Sequence, residues 1–123
     1  MHDALKRYIE ATNTWDFEQV AKCLRPEAVY FFTDKTCVGL QEIRDYFEAG
    51  WRACREESYW PTRIKILHED ADSMLCTYQY NYTGVADSGP ISGFGRATNH
   101  FVRNAITGVW ELSHEHLSPP ARS

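Results

Sequence analysis

No stretch of 18 consecutive apolar residues occurs in this chain, whereas a membrane-spanning helix needs about 20. No membrane partner is therefore expected. Blocks of one charge sign are missing too: 13 basic and 17 acidic side chains are scattered, for a formal charge of −4. Phosphate binding wants a concentrated basic face, so no nucleic-acid partner is expected either. The four cysteines, Cys23, Cys37, Cys54 and Cys76, form no C-x-x-C pair. The first ten residues, MHDALKRYIE, read as an amphipathic helix and not as a secretory leader. Together these absences lead us to expect a cytoplasmic protein with free, partly buried thiols. Internal repeats and low-complexity segments are lacking as well.

What is present is the material of one domain. The 123 residues are 43% hydrophobic and 14% aromatic, and a chain of this size buries roughly two thirds of its unfolded surface. We expect a single domain over residues 1–118 and a loose tail at 119–123, which holds Pro119 and Pro120.

Leu5, Tyr8, Ile9 and Thr12 recur at helical spacing. Asp16, followed by Gln19, resembles a capping box for a second helix with Phe17, Val20, Ala21 and Leu24 on its apolar stripe, stopped by Pro26. AVYFF (28–32) reads as a strand. Leu40, Ile43, Tyr46, Phe47, Trp51 and Cys54 form one apolar face of a third helix, in which Gly50 suggests a close contact or a local break. TRIKILHE, MLCTYQYNYTG, ISGFGRATNHFVRN and VWELSHEHL are β-rich runs separated by short turns, the pattern of an antiparallel meander. The expected class is α+β, with three N-terminal helices gathered on one face of a strongly curved antiparallel sheet.

The segments NTWDFEQV, GLQEIRDYFEAGW and the terminal W-x-x-x-H-x-H-x-S, in that order, resemble the NTF2-like superfamily over nearly the whole chain. That superfamily includes ketosteroid isomerases, SnoaL-type polyketide cyclases and the association domain of calcium/calmodulin-dependent protein kinase II, to which the last motif is most similar. The resemblance implies a cone-shaped (cystatin-like) fold with a pocket between the concave sheet face and the helices. It also implies a homodimer, or a higher oligomer, through the convex face.

The isomerase reaction uses a carboxylate base, and a tyrosine with a protonated carboxylic acid stabilises the oxyanion. By resemblance Tyr8 takes the place of that tyrosine, Phe32 stands where the base belongs, and Asn99 replaces the second acid. Asp34 is the nearest other carboxylate to Phe32. The pocket arginines of the association domain correspond to Tyr80 and Asn99, with Arg96 as a neighbouring substitute. Both comparisons place residue 99 in the pocket.

Side chains alternate along a strand, so Tyr78, Tyr80 and Tyr82 share one face, as do Tyr30 and Phe32. With Trp51 they describe an aromatic pocket for a small, mainly apolar ligand bearing a carbonyl or hydroxyl group. The alternative is that these aromatics only fill a core. His114 and His116 lie two apart and share a face with Trp110 and Leu112, as polar pocket groups or on a dimer surface. Glu111 and Glu115 take the other face. Neither a metal nor a cofactor is expected, because no H-E-x-x-H helix or carboxylate cage accompanies the histidines.

The candidate ligand-binding residues are thus Tyr8, Tyr30, Phe32, Trp51, Tyr78, Tyr80, Arg96, Asn99, His114 and His116, with no catalytic residue assigned. The expected function is that of a SnoaL-like small-molecule-binding protein, an isomerase, cyclase or dehydratase being the candidate activities. The alternative is a non-catalytic association module.

Overall fold

The helical stripes and the β-rich runs fold where their periods place them, while several boundaries move, most of all that of the strand carrying TRIKILHE, which begins at Arg55 and not at Thr62. In the computed structural model, which describes residues 1–122, the order is α1 (Asp3–Thr12), α2 (Phe17–Ala21), β1 (Leu24–Phe31), β2 (Thr36–Val38), α3 (Leu40–Ala53), β3 (Arg55–Glu69), β4 (Ser73–Ala86), β5 (Gly89–Arg103) and β6 (Trp110–Ser118). No helix among these is long and apolar enough to cross a membrane.

His2 caps α1, its Nδ1 accepting from the Ala4 amide at 3.0 Å. Leu5, Tyr8 and Ile9 face inward from α1 into the core. At the other end Asn13 acts as a one-residue strand. Its amide nitrogen donates to the Tyr59 carbonyl, and its oxygen accepts from the Tyr59 amide, both at 2.8 Å. This pins α1 to β3.

Asp16 caps α2 by accepting from the Glu18 amide, but the Asp16 amide donates to Thr14 Oγ1 and not to Gln19. The capping box is therefore half made, and α2 ends after five residues. Leu24, expected on its stripe, instead begins β1. Pro26 lies inside β1, where the pairing with β6 is interrupted between Leu24 and Val29. A proline is tolerated there because no ladder donor is needed from it. Helix α3 runs unbroken through Gly50, and a Cβ at that position would meet nothing within 4 Å. Gly50 thus marks neither a break nor a close contact.

The six strands form one sheet in the order β2-β1-β6-β5-β4-β3. The sheet is mixed, which corrects the expectation of a purely antiparallel one: β1 and β6 run parallel, and every other neighbouring pair is antiparallel. A parallel pair needs a long crossover. Here α3 and the whole β3–β5 meander supply it, so β6 returns beside β1 in the same direction. Leu5, Val20, Ile43, Met74, Phe101 and Leu112 meet in the core between the helices and this sheet. All four cysteines are free and buried, and burial raises their thiol pKa values, that of Cys76 to about 12.

Candidate functional site

Register decides which side chains meet. Cys76, Asn99, Glu115 and Tyr30 stand opposite one another across β4, β5, β6 and β1. Residues in one row share a face, and this row faces the helices. The next row, Thr77, Thr98, His116 and Phe31, occupies the outer face.

That arrangement hinges on one extra residue. Phe101 pairs with Leu112 and His100 with His114, which leaves Ser113 unmatched in a β-bulge. A bulge shifts the phase of alternation. Leu112 is fully buried in the core. Uninterrupted alternation would therefore have carried His114 and His116 inward. The bulge sends both histidines out and brings Glu115 in.

Glu115 is 2% exposed. The Tyr8 hydroxyl donates to its Oε1 at 3.1 Å. Tyr8 and Tyr30 hydroxyls are 2.7 Å apart, and since Tyr8 spends its one proton on Glu115, Tyr30 is the donor between them. The Asn99 amide, assigned from its surroundings, donates from nitrogen to Glu115 Oε1 at 3.1 Å and to the Thr98 carbonyl at 3.0 Å. Its oxygen accepts from the Tyr78 hydroxyl at 3.1 Å. Both bonds to Glu115 end on Oε1, and Oε2 makes none among the described residues.

Burial pushes the Glu115 carboxyl up to about 8, against the hydrogen bonds from Tyr8 and Asn99, which pull it down. Desolvation disfavours the carboxylate more than these neutral donors favour it. At neutral pH the group is mostly a carboxylic acid. Tyr8 and Tyr30 are raised first by burial and then by the Glu115 charge, so both stay protonated.

Glu115 and Tyr8 open onto a cavity of about 250 Å³. Phe32, Tyr46, Phe47 and Trp51 line it from the β1–β2 loop and α3. Tyr59, Tyr80, Tyr82 and Glu57 line it from β3 and β4. Phe32 stacks on Tyr46 with ring centroids 3.6 Å apart, and the Tyr46 hydroxyl donates to Asp34 at 2.6 Å. Asp34 itself is exposed and does not line the cavity. Burial raises the Glu57 carboxyl as well.

Of the candidate residues, Tyr8, Phe32, Trp51 and Tyr80 line this cavity, while Tyr30, Tyr78 and Asn99 are buried in the hydrogen-bonded layer around Glu115. Arg96, His114 and His116 are not brought to it. His114 Nδ1 lies 2.6 Å from the Val29 carbonyl, and Phe31 packs edge-on against His114 and His116 at 4.9 and 5.4 Å. Arg96 Nε donates to the Pro119 carbonyl at 3.0 Å. A larger depression of about 640 Å³ on that outer face includes Arg96, His116 and Phe94. It holds no buried titratable acid, so the chemistry favours the smaller cavity. No group of three His, Cys, Asp or Glu side chains is placed to hold a metal ion among the described residues.

Sequence reasoning did not assign Glu115 or Glu57 to the site. The alternation of Glu115 with the two histidines was visible, but the bulge that turned it inward was not. Glu57 sits in the polar run REES, which carries no apolar alternation to orient it.

The family model of the SnoaL-like domain matches residues 1–122. Comparison with curated proteins finds no match in sequence. Among solved structures, an NTF2-like superfamily protein from Salmonella enterica serovar Typhimurium superposes with a TM-score of 0.86 at 15% identity, over 98% of this chain and 89% of that one. A Xanthomonas campestris protein, described as a calcium/calmodulin-dependent protein kinase II association domain, gives 0.83 at 19% identity, over 97% and 84%. One from Shewanella frigidimarina, described as a ketosteroid isomerase, gives 0.79 at 18%, over 94% and 92%. Likeness at these identities establishes the α+β NTF2-like, cystatin-like fold and not an activity.

Proposed function

Because this chain belongs to the SnoaL-like domain family, whose fold carries varied chemistries, its reaction has to be argued from its own site, and we propose general acid–base catalysis on a small, mainly apolar molecule bearing a carbonyl or hydroxyl group. The observation that carries this reading is Glu115: a buried carboxyl on the wall of an aromatic cavity, held on Oε1 by Tyr8 and Asn99, with Oε2 left over. A side chain titrating near 8 is matched to proton transfer at neutral pH. Its acid form gives a proton to a ligand oxygen while water takes the proton from the neighbouring carbon, so that a carbonyl becomes an enol or a hydroxyl leaves as water across a new double bond. Tyr8 and Asn99 then stabilise the carboxylate that remains. Isomerisation, cyclisation and dehydration all draw on this step. A cavity of about 250 Å³ lies just below the roughly 300–1,000 Å³ of ordinary ligand sites, so the ligand is small.

The test follows the exchange of α-protons of cyclohexanone, 2-indanone and 2-tetralone in deuterated buffer by NMR. Wild-type protein should accelerate exchange of at least one ketone, and Glu115→Gln should lose about 10²-fold of that acceleration. Equal acceleration by the two proteins would sink the assignment.

The outer face supports a second, compatible reading as a homodimer contact. Phe31 is 40% and Phe94 53% exposed, beside His116 and the threonines of the same face. Placing a charge there should prevent self-association. Sedimentation equilibrium should give a dimer for wild type and a monomer for His116→Glu; the same mass for both would remove this face from any interface.

A further inference from the structure

A β-bulge accompanies each of the two carboxyl groups of the cavity. The first, at Ser113, turns Glu115 inward. The second lies in β3, where Arg55 pairs with Val85 and Ser58 with Thr83, so that three steps along β3 match two along β4. Within it Glu56 adopts φ 55°, a left-handed conformation unfavourable for a residue with a side chain. Trp15, itself at φ 58°, donates from its indole nitrogen to the Glu57 carbonyl at 2.7 Å and holds the segment in place. Gly84 faces it closely, since a Cβ there would lie 2.9 Å from the Arg55 carbonyl and 3.4 Å from Glu57 Cα. Irregular backbone of this kind persists where a side chain has to be aimed.

Glu57 forms no ion pair among the described residues. Among the described residues no Lys, Arg or His lines the cavity, and eight aromatic side chains do. An anionic ligand would meet two acids and no cation. A cation would meet the Glu57 carboxylate and the negative faces of aromatic rings, which attract it most strongly where water is excluded. Glu57 is half-buried and takes a hydrogen bond from the Cys54 thiol, but no cation among the described residues compensates its charge, so it is the unfilled half of a charge pair.

We propose that the ligand of this cavity is a small organic amine, bound as the ammonium ion against Glu57 and the surrounding rings, with an oxygen-bearing end directed to Glu115. This rests on the acid–base reading for Glu115 and narrows its substrate class. The upward displacement of the Glu57 carboxyl by burial agrees, since an ammonium ion beside it would favour its charged form.

Three probes of similar size and different charge test it: phenethylamine, 2-phenylethanol and phenylacetate, each titrated into the protein by calorimetry at pH 7. Phenethylamine should bind on the order of tenfold more tightly than 2-phenylethanol, and phenylacetate should not bind measurably. Glu57→Gln should bring the amine down to the level of the alcohol and leave the alcohol unchanged. Glu57→Asp, which keeps the charge on a shorter arm, should retain part of the preference and controls for a folding defect.

An alcohol that binds as tightly as the amine, a measurable affinity for phenylacetate, or a preference that survives Glu57→Gln would each overturn the proposal. So would the absence of binding by all three. Ketone exchange by Glu115→Gln reports on the acid–base reading separately, so the two can fail independently.

Discussion

Between pH 5 and pH 8 the wild-type protein should lose stability, and at pH 8 Glu115→Gln should be the more stable of the two. An ordinary Glu carboxyl titrates at 4.5, whereas burial holds Glu115 at about 8 in the folded chain. Within that window the native state binds a proton that the unfolded state has released, so stability falls as pH rises. The contribution of the protonated group is complete below about 4.5 and is lost through about 8.

At about 1.4 kcal/mol per pH unit, the displacement corresponds to roughly 5 kcal/mol, and no solvent screening reduces it for a side chain this buried. Total stabilities of single domains run from about 5 to 15 kcal/mol, so the effect is large. Glutamine keeps an oxygen to accept from Tyr8 and never ionises. Urea unfolding of both proteins at pH 5 and pH 8 isolates the Glu115 contribution as a difference of differences. Parallel pH profiles would show that this carboxyl titrates normally. The buried acid belongs to the same trade as the bulges: local cost held at the proposed site.

The second large effect is expected at Gly95. It pairs with Tyr80 across β4 and β5. A Cβ added there would come within 2.5 Å of the Tyr80 ring and 2.6 Å of the Ser118 carbonyl. A side chain can swing away, but a backbone oxygen inside a sheet cannot. Gly95→Ala should therefore cost about 2 kcal/mol as overpacking and push Tyr80 from its place on the cavity wall.

Gly50→Ala provides the contrast. Nothing lies within 4 Å of its added methyl, and alanine favours a helix interior by about 1 kcal/mol. That variant should be more stable while narrowing the cavity that Gly50 helps to line. Urea denaturation of the pair reads both signs. A Gly95→Ala protein as stable as wild type would mean that β6 shifts to make room.

Periodicity by itself determined the elements of this protein. Repeats near 3.6 residues marked α1 and α3, long alternating runs marked β3 to β6, and the order of segments carried the family resemblance. The same alternation placed Tyr80 and Tyr82 together, and Tyr30 with Phe32, because within one strand the count of two holds. Tyr8 and Trp51 reached the cavity from helical faces that the sequence already showed as apolar.

Relations between strands were another matter. Whether β1 and β6 run parallel depends on where the chain returns after a crossover, which no local pattern encodes. Whether Glu115 or His116 faces the cavity depends on Ser113 having no partner on β5. Glu57 shares its face with Tyr59, two residues on, but the bulge at Glu56 breaks the alternation on its other side. A bulge is a mismatch between two strands, so one strand read alone cannot reveal it. One extra residue inverts every side chain beyond it. Sequence chose the elements and their aromatic faces; only the paired sheet decided which titratable groups were buried with them.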